Sequence, residues 1–167
     1  KKQGVFIIDG LREIKEALKG GVNIEEIFIC PQIIKTEIPE FSNLKVFLVS
    51  ESIYKKVCYK EKPDGALAVA RINKLELTTL NLKNKPLLVI LEAVEKPGNL
   101  GAIIRSAYAS GVSAIIINDE QTDIYNPNVI RASEGFVFKV PIIMANRKDT
   151  TAFLKKNNIK INQAISY

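Results

Sequence analysis

The stretch from Pro86 to Ile117 constrains this chain more than any other. Leu87 to Val94 is an apolar run broken only by Glu92, Glu95-Lys96-Pro97-Gly98 is a loop, and Asn99 to Ser110 reads as a helix stopped by Gly111. Ala114 to Ile117 is a second apolar run. A short apolar run without alternation, bounded by turn residues, suits a central parallel strand buried on both faces. Two such runs around one helix, with short loops, make a βαβ unit and so a parallel, Rossmann-like sheet. A polar loop, Asp119 to Tyr125, follows, and Asn126-Pro127 caps a short helix through Ala132. Phe136 to Ile143 is then strand-like, Asp149 to Asn157 helical and Lys160 to Ser166 strand-like.

Ahead of this unit lies a different α/β pattern. Val5 to Ile8 is extended, and Leu11 to Lys19 places Leu11, Ile14, Ala17 and Leu18 on one helical face before Gly20-Gly21. Ile27 to Cys30, Val46 to Val49 and Ala66 to Ala70 are short β runs, and Ser50 is a candidate N-cap for a helix through about Tyr59. Residues 1–73 are expected to form a small α/β domain, 74–85 a polar linker, and 86–167 the first part of a larger α/β domain.

With 167 residues the chain can bury a core without staples. No apolar run approaches the ~18 residues of a membrane-spanning helix, so no membrane partner is expected. The two cysteines, Cys30 and Cys58, form no pairing pattern, and Cys30 ends the apolar run Ile27-Phe28-Ile29 as a buried thiol would. This usage suits a reducing cytoplasm. With no histidine anywhere, histidine metal ligands and Ser–His or Cys–His catalysis are excluded within these residues. The formal charge of +6 permits phosphate contacts without demanding them. The chain starts at Lys1 and its one methionine is Met144, which suggests an incomplete reading frame.

Two clusters have chemical potential. In Glu95 to Arg105, the C-terminal edge of a parallel strand meets a helix N-terminus, the place where α/β folds bind ligands and where anions are favoured. Asn99 is placed to cap that helix, Gly98 and Gly101 allow close approach, and Arg105 can reach back toward the same end. The second cluster, Asn126 to Gly135, follows the next strand, so Arg131 and Ser133 would reach the same rim. From the residues alone, a plain turn, two caps and exposed arginines account for both clusters equally well. The glycine spacing does not match G-x-G-x-x-G, which disfavours an NAD or FAD enzyme.

Together the clusters resemble the SpoU (TrmH-like) family of RNA 2′-O-ribose methyltransferases. Asn99, Gly101 and Arg105 match the family's first motif, and Arg131-Ala132-Ser133-x-Gly135 resembles the stretch that follows it. Phe6-Ile7-Ile8-Asp9-Gly10 with Leu11-Arg12-Glu13 resembles the family's substrate-binding domain, with Asp9 where glutamate is usual. The resemblance implies a small RNA-binding domain before a methyltransferase domain of the trefoil-knot class. It also implies S-adenosyl-L-methionine as cofactor, homodimers, and structured RNA as partner, ribosomal more than transfer RNA. By the same resemblance Arg105 and Asn99 are catalytic, and Asn99, Arg105, Arg131 and Ser133 contact RNA. Ser166 and Tyr167 would border the cofactor. The family's second and third motifs (glycine–x–glutamate, and serine–leucine–asparagine) do not occur in these residues, so the knot-forming end is not in this chain. Free arginine is a costly base at neutral pH, so Arg105 is expected to position phosphate and stabilise developing alkoxide charge. The alternatives are a non-catalytic RNA-binding protein built from the same domains, and an unrelated Rossmann-like enzyme.

Overall fold

The computed structural model describes residues 4–35, 38–82 and 85–163. Among these, the first half builds a four-stranded sheet from β1 (Val5–Asp9), β2 (Ile24–Ile29), β3 (Val46–Leu48) and β4 (Ala66–Arg71), in the order β1-β4-β2-β3. β4 runs antiparallel to both β1 and β2, and β3 lies parallel to β2. Helix α1 (Leu11–Lys19) packs Ile14 and Ala17 into the core, as the spacing of its apolar residues predicts. Helix α2 (Glu51–Val57) is capped by Ser50, whose hydroxyl accepts the Ile53 amide at 3.4 Å. It stops short of Tyr59 because the Asp9 carboxylate takes the amides of Tyr59 and Lys60, at 2.5 and 2.9 Å.

The second half holds β5 (Leu88–Glu92), α3 (Pro97–Ala109), β6 (Ala114–Asn118), α4 (Pro127–Ala132), β7 (Ile142–Ala145) and α5 (Arg147–Lys156). Its three strands are parallel, in the order β5-β6-β7. The fold is mixed α/β with the parallel sheet that the βαβ pattern implies. β6, not β5, is the central strand. All five of its residues are buried, whereas β5 is a half-buried edge among the described residues. Leu75 pairs with Ile143, so the linker region contributes a bridge beside β7.

Other expectations change in the structure. Phe136 to Ile143 is not one strand. The chain reverses through Glu134 and Gly135, both left-handed (φ 54 and 81), makes a 3-10 turn at Phe136–Phe138, and enters β7 only after Pro141. That turn is held by tertiary packing, with Val137 buried and Phe138 beside Phe6 at 5.9 Å between ring centres. Residues 160–163 carry no strand, and Ala164 to Tyr167 lie outside the described residues. No helix among the described residues is long and apolar enough to cross a membrane.

The two sheets share one core. Phe6 of β1 packs on Tyr125 at 4.3 Å between ring centres, and the buried cluster runs from Ile8 and Ile14 through Leu100, Ile115 and Ile130. Polar pairs line the same seam, where Lys139 bonds Glu16 and Arg12 bonds Glu134.

Candidate RNA-binding and catalytic site

Helix α3 starts two residues earlier than expected. Pro97 occupies its first position, where a missing N–H costs nothing, and Lys96 precedes it without a side-chain cap. Asn99 is therefore inside the first turn and exposed, and does not cap the helix. A Cβ added at Gly98 would meet nothing within 4 Å, so the helix start is open. Gly101 serves a different purpose. A Cβ there would lie 2.5 Å from Ala132 Cβ and 2.9 Å from the Ser133 nitrogen, so this glycine lets α3 and α4 touch. The first motif and the Arg131 stretch are thus one packed unit, as their shared rim requires.

Arg105 is exposed two turns beyond Gly98, and Gly98, Ala102 and Arg105 recur at helical spacing on one side. Its guanidinium does not lie free. The Arg105 Nη1 donates to Glu134 Oε1 at 3.1 Å, and the other oxygen of Glu134 takes Arg12. One turn further along α3, Tyr108 stacks on Phe136 at 4.4 Å, with the Lys139 ammonium 5.9 Å from its ring centre. Arg131 is exposed on α4 and donates to Asn128 Oδ1 at 3.1 Å.

Ser133 does not reach the rim. It is fully buried, its hydroxyl donates to the Ile130 carbonyl at 3.0 Å, and it accepts the Val137 amide at 3.4 Å. Its role is to close the turn after α4, and a hydroxyl so placed offers nothing to a ligand. Ser166 and Tyr167, expected beside the cofactor, lie outside the described residues. Sequence reasoning missed Glu134 as a partner of Arg105. The only local signal was its acidic side chain between Ser133 and Gly135, and the pairing spans 29 residues.

At the C-terminal ends of the parallel strands a polar chain braces the sheet. The Asn118 amide donates to Glu92 Oε1 at 2.9 Å, and Asn118 Oδ1 accepts from Thr150 at 2.6 Å. Arg147 and Asn118 hold the Glu92 carboxyl below its ordinary pKa. No group of three or more Cys, Asp or Glu side chains fit to hold a metal occurs among the described residues. A cavity of about 850 Å³ opens beside β7 and α5, and Asn99, Arg105, Arg131 and Ser133 are not among the described residues that line it.

The arrangement offers three exposed cationic groups, Arg105 and Arg12, which share Glu134, and Arg131 on the adjoining α4. Such donors suit the phosphates and developing oxyanion of a nucleic acid.

The SpoU rRNA methylase family profile matches residues 86–166, and an MRM3-like substrate-binding domain matches residues 1–68. The chain is 28% identical over 162 residues to the 23S rRNA (guanosine(2553)-2′-O)-methyltransferase RlmP of Bacillus subtilis, covering 96% of this chain and 62% of that protein. It is 30% identical to the human mitochondrial rRNA methyltransferase 3 over 86% of this chain and 36% of that protein. The crystal structure of an RNA 2′-O ribose methyltransferase superposes with a TM-score of 0.76 at 33% identity, covering 94% of this chain and 61% of that one. An AdoMet-bound rRNA methyltransferase from Sinorhizobium meliloti superposes at 0.79 with 28% identity, over 92% and 59% of the two chains. The chain thus spans under two thirds of the length of these relatives. With matching profiles over both halves and this fold, the chain belongs to the SpoU methylase family, an MRM3-like substrate-binding domain preceding its methylase domain.

Proposed function

We propose that this protein methylates ribose 2′-hydroxyls in ribosomal RNA, with S-adenosyl-L-methionine as the methyl donor. Residues 1–73 would grip structured RNA and residues from 86 onward would form the methyltransferase domain, working as a homodimer in the cytoplasm. The observation that carries this reading is Arg105. It is exposed on α3, two turns past an open helix start, in a chain that matches the family over both halves. Two relatives carry 2′-O-methylation of ribosomal RNA in their names, and one similar structure holds AdoMet.

In this reading the cofactor, when bound, supplies an electrophilic methyl group. The chain's own residues act on the RNA. The ribose 2′-oxygen must shed its proton as it takes the methyl group, and negative charge grows on that oxygen. Arg105 would hold the adjacent phosphate and stabilise that charge, while Asn99 at the open helix start orients the nucleotide. Arg131 would hold backbone phosphate on α4.

The test is methyl transfer from radiolabelled S-adenosylmethionine to ribosomal RNA by the intact gene product. Arg105→Ala is expected to lower kcat by about a hundredfold to a thousandfold, the usual cost of one preorganised oxyanion donor. Undiminished transfer in that variant overturns the role of Arg105. RNA binding without any methyl transfer in the wild type would mark a non-catalytic RNA-binding protein.

A further inference from the structure

Glu134 joins two arginines from opposite halves of the molecule. Its Oε1 accepts Arg105 of α3 at 3.1 Å, and its Oε2 accepts Arg12 of α1. The side chains remain open to solvent, at 49% for Arg105, 61% for Arg12 and 34% for Glu134, so an incoming ligand can reach all three. The backbone holds Glu134 in place. Its φ is 54, its amide bonds the Arg131 carbonyl at 2.9 Å, and the following Gly135 presses against α1, where a Cβ would lie 2.8 Å from Glu16 Cβ.

A carboxylate that takes one guanidinium on each oxygen occupies the place of a phosphodiester, whose two non-bridging oxygens have a similar spread. Exposed ion pairs are weak in water, so exchanging this carboxylate for a phosphate costs little. Arg12 also lies within the residues that match a substrate-binding domain. We propose that Arg12 and Arg105 together clamp one RNA phosphodiester across the seam between α1 and α3, and that Glu134 fills the clamp until RNA displaces it. The clamp makes the placing of Arg105 depend on the docking of α1, and it assigns Arg12 to RNA binding. It rests on the reading that Arg105 faces RNA.

The test is the affinity of the chain for fluorescein-labelled decauridylate, read by fluorescence anisotropy over a series of salt concentrations. A phosphate clamp is indifferent to base sequence, so this probe suffices. Glu134→Gln keeps the shape and removes the competing charge, and it is expected to tighten binding about threefold to tenfold. Arg12→Ala is expected to weaken it about tenfold and to lower the salt slope by ~0.7, one phosphate contact on a single strand. Unchanged or weaker binding by Glu134→Gln overturns the clamp. So does an equal gain in Glu51→Gln, which removes the same charge from α2. If Arg105→Ala weakens binding while Arg12→Ala and Glu134→Gln do not change it, the clamp alone fails. If Arg105→Ala has no effect, or the wild-type chain does not bind at low salt, the RNA-facing reading of Arg105 fails with it.

Discussion

The molecule makes the same local move twice, and the two copies end differently. At Asp9-Gly10 the strand β1 turns into α1, and at Glu95 to Pro97 the strand β5 leads into α3. The first junction is filled by the protein itself. Asp64 accepts the Leu11 amide at 3.0 Å, and Lys60 bridges Asp64 at 2.8 Å and Glu13 at 3.0 Å. Asp9 and Glu13 are each only 5% exposed there. The second junction is filled less among the described residues: the buried Thr122 hydroxyl donates to the Glu95 carbonyl, but no charged side chain closes the helix start. Lys96 supplies no side-chain cap, nothing lies within 4 Å of a Cβ on Gly98, and Asn99 is exposed. A strand-to-helix turn is therefore a site only when distant residues leave it open. The first is closed by its own charges, and the second is the more open of the two among the described residues.

The comparison breaks most sharply at its glycines. Gly10 sits at φ 126 and ψ 137, a region open essentially to glycine, and its missing Cβ would meet Glu13 and Lys60 atoms at 2.1 Å. Gly10→Ala is expected to cost about 3 kcal/mol in denaturant unfolding, from backbone strain and displaced charges. Gly98→Ala should be neutral or stabilise by up to about 1 kcal/mol, because alanine is the better helix former and has space. Equal losses at the two positions would show that the junctions do not differ as described.

A smaller effect is expected from Asp9→Ala, about 2 kcal/mol, because the amides of Tyr59 and Lys60 lose a charged acceptor. Protection of those two amides in hydrogen exchange should fall with it, while α3 amides keep theirs. Uniform loss of protection would place Asp9 in the whole fold rather than in this junction.

The smallest effect is a dependence on alkaline pH. Burial opposes the charge of Lys60, yet its hydrogen bonds to Asp64 and Glu13 outweigh that and hold its pKa above the ordinary 10.5. A cation with a raised folded pKa stabilises fully below the unfolded value and loses that contribution as pH rises through the folded one. The buried Tyr54 hydroxyl, pushed up mainly by burial, acts in the same direction, since the unfolded phenol ionises first. Thermal melts should thus show stability falling above about pH 10.5, with a shallower fall in Lys60→Met. An identical fall in that variant would remove Lys60 as a cause.

Much of this was legible in the residues. The βαβ order, the α1 face of Ile14 and Ala17 and the Ser50 cap all follow from neighbours within a turn or two, where periodicity and capping chemistry act. The errors share one physical origin. Phe136 to Ile143 has an apolar composition that fits either a strand or a buried turn, and the packing of Phe138 on Phe6, over a hundred residues away, chose the turn. Ser133 looked like a ligand-facing hydroxyl, but the α3–α4 contact through Gly101 buried it.

The amino-acid sequence by itself determined the class of fold, the order of its two parts, the exclusion of histidine chemistry within these residues and the arginine on α3. Each depends on residue identity and on local spacing. Only the tertiary structure decided which strand lies at the centre, which junction is filled and which is open, and that Glu134 sits between Arg105 and Arg12. Those outcomes depend on which distant surfaces meet, and the charge that one junction lacks is supplied at the other by residues some fifty positions along the chain.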